Sequence, residues 1–161
     1  MLPSCMNDTS QASIPLNHLK IDGKEEKLLA EIGETIIPKT SIPGAKDVYT
    51  HLFALKMIDD CYEPEQQREF KEGLKEINAL SKDRFKTDFT SSTAQQHEAL
   101  LTELEGRKEG EPLTSFYKMV KALTIQGFLQ SQYIMTNVLK YELVPGRYNG
   151  FAPVKTEHHQ I

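Results

Sequence analysis

Histidines and nearby carboxylates are the first candidates for chemistry in this chain of 161 residues, which contains five histidines. Asp47 and His51 are four residues apart and would share one face of a helix. A ferritin-like dinuclear centre needs two Glu-x-x-His pairs and two further carboxylates, and neither pair occurs here. His97 lies in a helical pattern, and His158 and His159 lie in a polar terminal segment. We therefore predict surface or solvated histidines and no metal site.

The cysteines give no stronger sign of reactivity. Cys5 and Cys61 are far apart in different contexts, which favours neither a disulfide nor a thiolate metal site. Two carboxylates, Asp59 and Asp60, precede Cys61 and would disfavour its thiolate, so we predict a structural role for this residue. A Ser-His-Asp or Cys-His arrangement stays open, because triad members are not sequence neighbours, but nothing in the sequence favours one.

Composition narrows the classes of function further. Neither G-x-G-x-x-G nor G-x-x-x-x-G-K-[ST] occurs, so we expect this chain to hold no cofactor. The 19 basic and 23 acidic residues are interspersed and leave a net charge of −4, which argues against a nucleic-acid partner. Apolar stretches are a few residues long, whereas a membrane-spanning helix needs about 20. We expect membrane contact only through a partner or a lipid anchor.

Hydrophobic spacing predicts an all-α fold, an irregular bundle of about five to six helices with ordered Pro/Gly-rich loops. No segment alternates apolar and polar residues over the length of a strand, and no repeat of solenoid period occurs. We divide the chain into a flexible leader or signal-peptide remnant over residues 1–20, a single helical domain over 21–154, and a polar tail over 155–161.

Capping signals and apolar stripes predict where the helices begin. A D-x-x-E capping box marks Asp22, and an S-x-x-Q box marks Ser92. The last helix is the longest and would continue to Tyr141 as the central element, with Gly127 as a kink or a close-packing point. The predicted starts are Asp22, about Lys46, Pro64, Ser92 and Thr114.

Two turn-rich segments interrupt this helical pattern. The 38–45 loop contains two prolines and a glycine, and the 145–153 segment combines turn-forming residues with two aromatic residues. Such residues anchor protein interfaces, but the same segments could instead cover their own domain, with Arg147 bonding to helix C-terminal carbonyls. The residues alone do not decide between these two roles. The candidate interface residues are Pro38, Thr40, Pro43, Gly44, Ala45, Pro145, Gly146, Arg147, Tyr148, Gly150 and Phe151.

Several motifs also occur in a particular order. Residues 35–45 read T-I-I-P-K-T-S-I-P-G-A, residues 59–62 read D-D-C-Y, and residues 145–150 read P-G-R-Y-N-G. Further matching stretches are 66–74, 95–101 and 121–127. In order and spacing these motifs resemble the gluconate 2-dehydrogenase subunit 3 family, over nearly everything from residue 24 to residue 153.

The resemblance implies a small helical subunit of a membrane-associated dehydrogenase complex that oxidises sugars, sugar acids or polyols. In such complexes a large flavoprotein of the glucose-methanol-choline type holds FAD and abstracts hydride, and a cytochrome c subunit often passes the electrons on. The small subunit has no catalytic residues of its own. It supports folding of the large subunit and often supplies the twin-arginine export signal for both, which implies a location in the bacterial periplasm or cell envelope.

The sequence departs from the family pattern at one position and in one short stretch. Many relatives carry Cys where this chain has Phe151, so any contact there would be apolar packing. Relatives commonly read G-Y-F-T-S-E where residues 127–132 of this chain read G-F-L-Q-S-Q. The resemblance therefore does not carry gluconate over as the substrate.

The first residues suggest a lipid anchor. Residues 2–5 read L-P-S-C and resemble the end of a bacterial lipoprotein signal, with Cys5 as the candidate lipidated residue; the alternative is an unmodified leader cysteine. An alternative function follows as well, that of a stand-alone helical binding module or lipoprotein of the cell envelope without a dehydrogenase partner.

Overall fold

Helices account for the regular structure of the chain. The computed structural model describes residues 11–108, 110–139, 141, 144 and 146, and no strand occurs within these residues. The all-α prediction is confirmed. The elements are α1 (Gly23–Ile36), α2 (Thr50–Cys61), α3 (Pro64–Phe85), a 3-10 turn (Phe89–Ser91), α4 (Ala94–Gly106), α5 (Pro112–Leu129) and a π-helical turn (Ile134–Val138).

The start of α1 follows its local sequence. The side chain of Asp22 accepts hydrogen bonds from the backbone N–H groups of Lys24 and Glu25 at 2.8 Å. The Glu25 carboxylate accepts the Asp22 N–H in return, which completes the predicted capping box. At the start of α3, Pro64 occupies the first turn as predicted, where its missing N–H leaves no bond unmade.

Helix α4 begins one residue later than the sequence suggested. Thr93 and Gln96 form its capping box, where we predicted Ser92 and Gln95. The hydroxyl of Ser92 is engaged elsewhere, because it donates to the carbonyl oxygen of Asp88 and lies 3.1 Å from the hydroxyl of Ser81 on α3. A contact between distant segments thus decides which residue caps the helix.

Helices α2 and α5 also differ from the predicted bounds. Residues 46–49 form turns, and α2 starts only at Thr50, because Tyr49 has a left-handed backbone with φ 57°. Helix α5 starts at Pro112 and ends at Leu129, not at Tyr141. Gly127 is a close-packing point: a Cβ atom there would lie 2.8 Å from Cδ1 of Phe53 on α2.

The core surrounds α5, which contacts all four other α-helices. Gly73 of α3 permits one of the closest approaches, since a Cβ atom at this position would lie 2.2 Å from Cγ of Phe116 on α5. The prediction that this helix is the central element is confirmed. The largest fully buried apolar side chains are Leu29, Ile32, Leu55, Ile58, Phe70, Leu74, Ile77, Phe89, Leu104 and Val120.

Residues 11–21 form an irregular loop that lies against the helices and is closed by a hydrogen bond from the Ala12 N–H to the Ile21 carbonyl oxygen at 3.1 Å; we call it the N-terminal strap. The buried carboxylate of Asp59 accepts the backbone N–H groups of Asn17, His18 and Leu19, each at 2.7 Å. Ser13 donates both its N–H and its hydroxyl to Glu26 of α1. The described part of the predicted flexible leader is therefore packed onto the domain, which begins before the boundary we placed at residue 21.

Candidate docking surface

A carboxylate holds the 38–45 loop in one shape. Glu34, near the end of α1, accepts the backbone N–H of Lys39 at 2.9 Å with one oxygen and that of Lys46 at 3.0 Å with the other. Gly44 passes so close that a Cβ atom there would lie 2.6 Å from the nitrogen of Lys39 and 2.7 Å from both Glu34 oxygens. We call this arrangement the Glu34 clasp; it requires glycine at position 44 for lack of space.

Asp47 fastens the other side of the loop. Its carboxylate accepts the Gly44 N–H at 3.2 Å and pairs with the Lys39 ammonium group at 3.1 Å. The hydrogen bond from Lys39, followed by that from Gly44, lowers the pKa of the Asp47 carboxyl group. The Ala45 N–H in turn donates to the carbonyl oxygen of Ile37, so the loop is closed by backbone as well as side-chain bonds.

The predicted interface residues fall into distinct environments. Pro38 and Thr40 are exposed and Pro43 is half-buried, whereas Gly44 and Ala45 are buried and give the loop its shape. Of the second predicted segment, only Gly146 lies among the described residues. Outside them lie Pro145, Arg147, Tyr148, Gly150, Phe151 and the candidate lipidation site Cys5.

Pro43 of the loop and the turn that follows it form one wall of a surface groove of about 440 Å³. The opposite wall is the segment that follows α5, including the π-helical turn. On the loop side the groove is lined by Pro43, Asp47, Val48 and Tyr49, and on the other side by Ser131, Gln132, Tyr133, Thr136 and Asn137. Of the first wall, the sequence predicts only Pro43 as an interface residue and places residues 47–49 in a helix; it places the second wall within a long helix.

Exposed apolar side chains occur in two stretches of the sequence, and one of them, Tyr49, lines this groove. Within the described residues, every large hydrophobic side chain that is exposed belongs either to residues 42–49 or to residues 125–144. The charge-free run between Lys121 and Lys140 could have pointed to the second group. Charged residues make up 26% of the chain, so a stretch of this length would ordinarily contain several. The exposed residues are Ile42, Tyr49, Ile125, Leu129, Val138, Leu139, Tyr141 and Val144.

The histidines that we considered as metal ligands are packed into the fold. His51 has a side chain that is 10% exposed, and its Nε2 lies 4.0 Å from a Glu26 oxygen. Burial lowers the pKa of this imidazole. His97 stacks on Phe89 at 4.1 Å between ring centroids and bonds to its carbonyl oxygen. The prediction of solvated histidines is wrong for these two, because both lie against neighbouring elements.

The remaining candidate residues are Asp47, which we considered beside His51 for a metal site, and Cys61, for which we predicted a structural role. Asp47 bonds within the loop and does not join His51 in a site. Among residues 11–108, 110–139, 141, 144 and 146, no three or more His, Cys, Asp or Glu side chains form a group that could hold a metal ion. Cys61 is an exposed free cysteine at the end of α2, which differs from the packed structural residue that we expected.

Comparison with known proteins identifies the family of this chain. No helix in the described part of the chain is long and apolar enough to span a membrane. Searches among curated proteins and among solved structures each found no match. A family model described as gluconate 2-dehydrogenase subunit 3 matches residues 23–146, a span that includes both walls of the groove. The resemblance inferred from the motifs is thereby confirmed, and the chain belongs to the gluconate 2-dehydrogenase subunit 3 family.

Proposed function

We propose that this chain is the non-catalytic small subunit of a membrane-associated, FAD-dependent dehydrogenase of the glucose-methanol-choline type. Its complex would oxidise a sugar, sugar acid or polyol, and the small subunit would support folding, export or assembly of the flavoprotein. The observation that carries this proposal is the family match over residues 23–146, since the family is described as a subunit of gluconate 2-dehydrogenase.

The use of the carboxylates supports binding over chemistry. Glu34 and Asp47 accept N–H groups of the loop, and Glu26 and Asp59 accept N–H groups of the strap. A general base needs an oxygen that is free to take a substrate proton. Protonation of any of these carboxylates would weaken the bonds that hold the loop or the strap.

The proposal also includes partners and a location. FAD would be held by the large subunit, a cytochrome c subunit could take up the electrons, and the complex would lie in the periplasm or cell envelope after twin-arginine export. This chain would reach the membrane through its partner or through a lipid on Cys5. Its contribution would be binding free energy, provided by a loop whose shape is set before the partner arrives.

Co-expression with a glucose-methanol-choline flavoprotein from the same genome, the partner that the proposal requires, tests the proposal. We expect the chain alone to be colourless and inactive, and the two chains together to co-purify as a yellow complex that reduces an electron-acceptor dye with gluconate, glucose or a polyol. Flavin absorbance in size-exclusion fractions and dye reduction provide the two measurements. The proposal fails if this chain alone oxidises such substrates, or if the two subunits purify separately while each is folded.

A further inference from the structure

Tyr49 combines a strained backbone with an exposed side chain. Its φ of 57° and ψ of 37° lie in the left-handed region, which is unfavourable for a large aromatic residue. Within the described residues, Lys86 is the other non-glycine residue with positive φ. Lys86 ends α3, where a left-handed residue is common, whereas Tyr49 precedes α2.

The fold does not require the aromatic ring at this position. Tyr49 is 63% exposed, and the centroid of its ring lies 6.2 Å from that of the His51 ring. The bonds that fix the turn use backbone atoms only: the Tyr49 N–H donates to the Lys46 carbonyl oxygen, and the Tyr49 carbonyl oxygen accepts the Leu52 N–H. Glycine would make the same bonds without strain. Strain that packing does not explain is typical of functional positions.

Among residues 11–108, 110–139, 141, 144 and 146, the two segments that line the groove at Tyr49 carry little uncompensated charge. On the loop side, Lys39 and Asp47 neutralise each other in an ion pair. On the other side, no charged residue occurs between Lys121 and Lys140, although charged residues make up 26% of the whole chain. A partner surface carrying unpaired charges would lose hydration here without gaining a counter-charge. The far wall is lined by Ser131, Gln132, Tyr133, Thr136 and Asn137, whose polar groups would need partners when buried. The groove therefore favours an uncharged partner surface that offers hydrogen-bonding groups beside an apolar pocket.

We propose that Tyr49 is the anchor residue with which this subunit binds an uncharged patch on its flavoprotein subunit. The tyrosine ring enters an apolar pocket of that patch, and the polar side chains of residues 131–137 face hydrogen-bonding groups of the partner. The proposal rests on the proposed function, which supplies the partner. Aromatic anchors surrounded by apolar contacts dominate the free energy of many interfaces. The strained conformation is thus retained for binding.

Two glycine substitutions test the anchor. Tyr49→Gly removes the ring and the strain, and Lys86→Gly removes the same kind of strain at an exposed position on a different element. We expect each to raise the Tm of the isolated chain by roughly 2–4 °C. Only Tyr49→Gly should weaken binding to the flavoprotein subunit, by about 30-fold or more in Kd. Calorimetry of unfolding and of binding measures both effects.

A charge on the opposite wall provides an independent test. Gln132 is exposed and lines that wall, so Gln132→Glu should leave the Tm unchanged within about 2 °C and weaken binding to a similar extent as Tyr49→Gly. If the wild-type subunits do not bind each other, the proposed function fails and the anchor fails with it. If they bind and both variants bind within about twofold of wild type, the complex stands and the anchor is refuted. Loss of self-association or of vesicle binding in Tyr49→Gly, with flavoprotein binding intact, would also refute it and would identify a second copy or a lipid surface as the occupant.

Discussion

At the scale of single residues, the 38–45 loop depends on one absent side chain. Gly44 passes within van der Waals contact of the Glu34 carboxylate, and that carboxylate holds the N–H groups on both sides of the loop. The sequence motif P-G-A showed that a turn occurs here, but it did not show why glycine is needed. The reason is a carboxylate ten residues earlier in the chain, and local turn preferences carry no information about such a contact.

Gly44→Ala should open the clasp. A methyl group 2.6 Å from the Lys39 nitrogen would force the loop away from Glu34, and we expect a loss of about 1–3 kcal/mol in the free energy of unfolding. Urea denaturation followed by circular dichroism provides the measurement. Gly106→Ala is the matched control, because no atom lies within 4 Å of a Cβ at that position, and it should be neutral or slightly stabilising. Equal stability of the two variants would contradict the clasp.

At the scale of elements, sequence patterns placed the helices well where the signals are local. The capping box at Asp22 and the proline at position 64 act within one turn, and both helices start as expected. The end of α5 was missed because the apolar pattern continues beyond Leu129, although the regular hydrogen bonding does not. An apolar residue predicts burial or an interface equally well, so periodicity alone cannot separate the end of a core helix from an exposed apolar surface.

The crossing of α3 and α5 depends on a glycine fitted to an aromatic ring. Gly73→Ala would place a methyl group 2.2 Å from Cγ of Phe116, and we expect it to destabilise the fold by about 3 kcal/mol. Phe116→Ala alone should cost about 3–5 kcal/mol through the cavity it leaves. The double variant should be less destabilised than the sum by at least about 1 kcal/mol, because the new methyl group then occupies space that the ring has left.

Thermal and urea unfolding of the four chains in this double-mutant cycle measure the coupling. Strict additivity would show that the two residues act independently and that α3 and α5 do not meet at this point.

At the scale of the whole molecule, the N-terminal strap was the feature that sequence reasoning could not find. Residues 11–21 have no helical periodicity and contain two of the features of a leader, a proline and several small polar residues. Their order comes from Asp59, about forty residues away, and from the burial of Leu19 and Ile21. The overall class and the central helix could be predicted because they follow from periodicity, but a strap held by distant carboxylates leaves no local pattern.

Asp59 should make stability depend on pH. Burial opposes ionisation of this carboxyl group, but the hydrogen bonds from Asn17, Leu19 and His18 outweigh it and lower the pKa below the ordinary 3.8. A carboxyl group with a lowered pKa in the folded state stabilises the fold above its unfolded pKa. This contribution is lost as the pH falls through the folded value. We therefore expect wild-type stability to decline below about pH 4.

Asp59→Asn should remove much of this effect. An amide offers one acceptor oxygen to three N–H donors, and its own NH₂ group faces one of them, so we expect a loss of about 2–3 kcal/mol at pH 7 and a smaller decline in acid. Asp60→Asn is the matched control, because this neighbour is exposed and pairs only with Lys56 at the surface. Urea unfolding at a series of pH values measures both. A variant as stable as wild type at pH 7 would show that the strap is held by apolar packing alone.

The neutral groove has a consequence for how two subunits would find each other. Because the groove itself contributes little charge, it provides little long-range attraction, and we expect an association rate constant near the unassisted value of roughly 10⁵–10⁶ M⁻¹s⁻¹. Added salt would then change this rate little. Assembly at such a rate depends on local abundance, which favours synthesis of both chains at the same place and time.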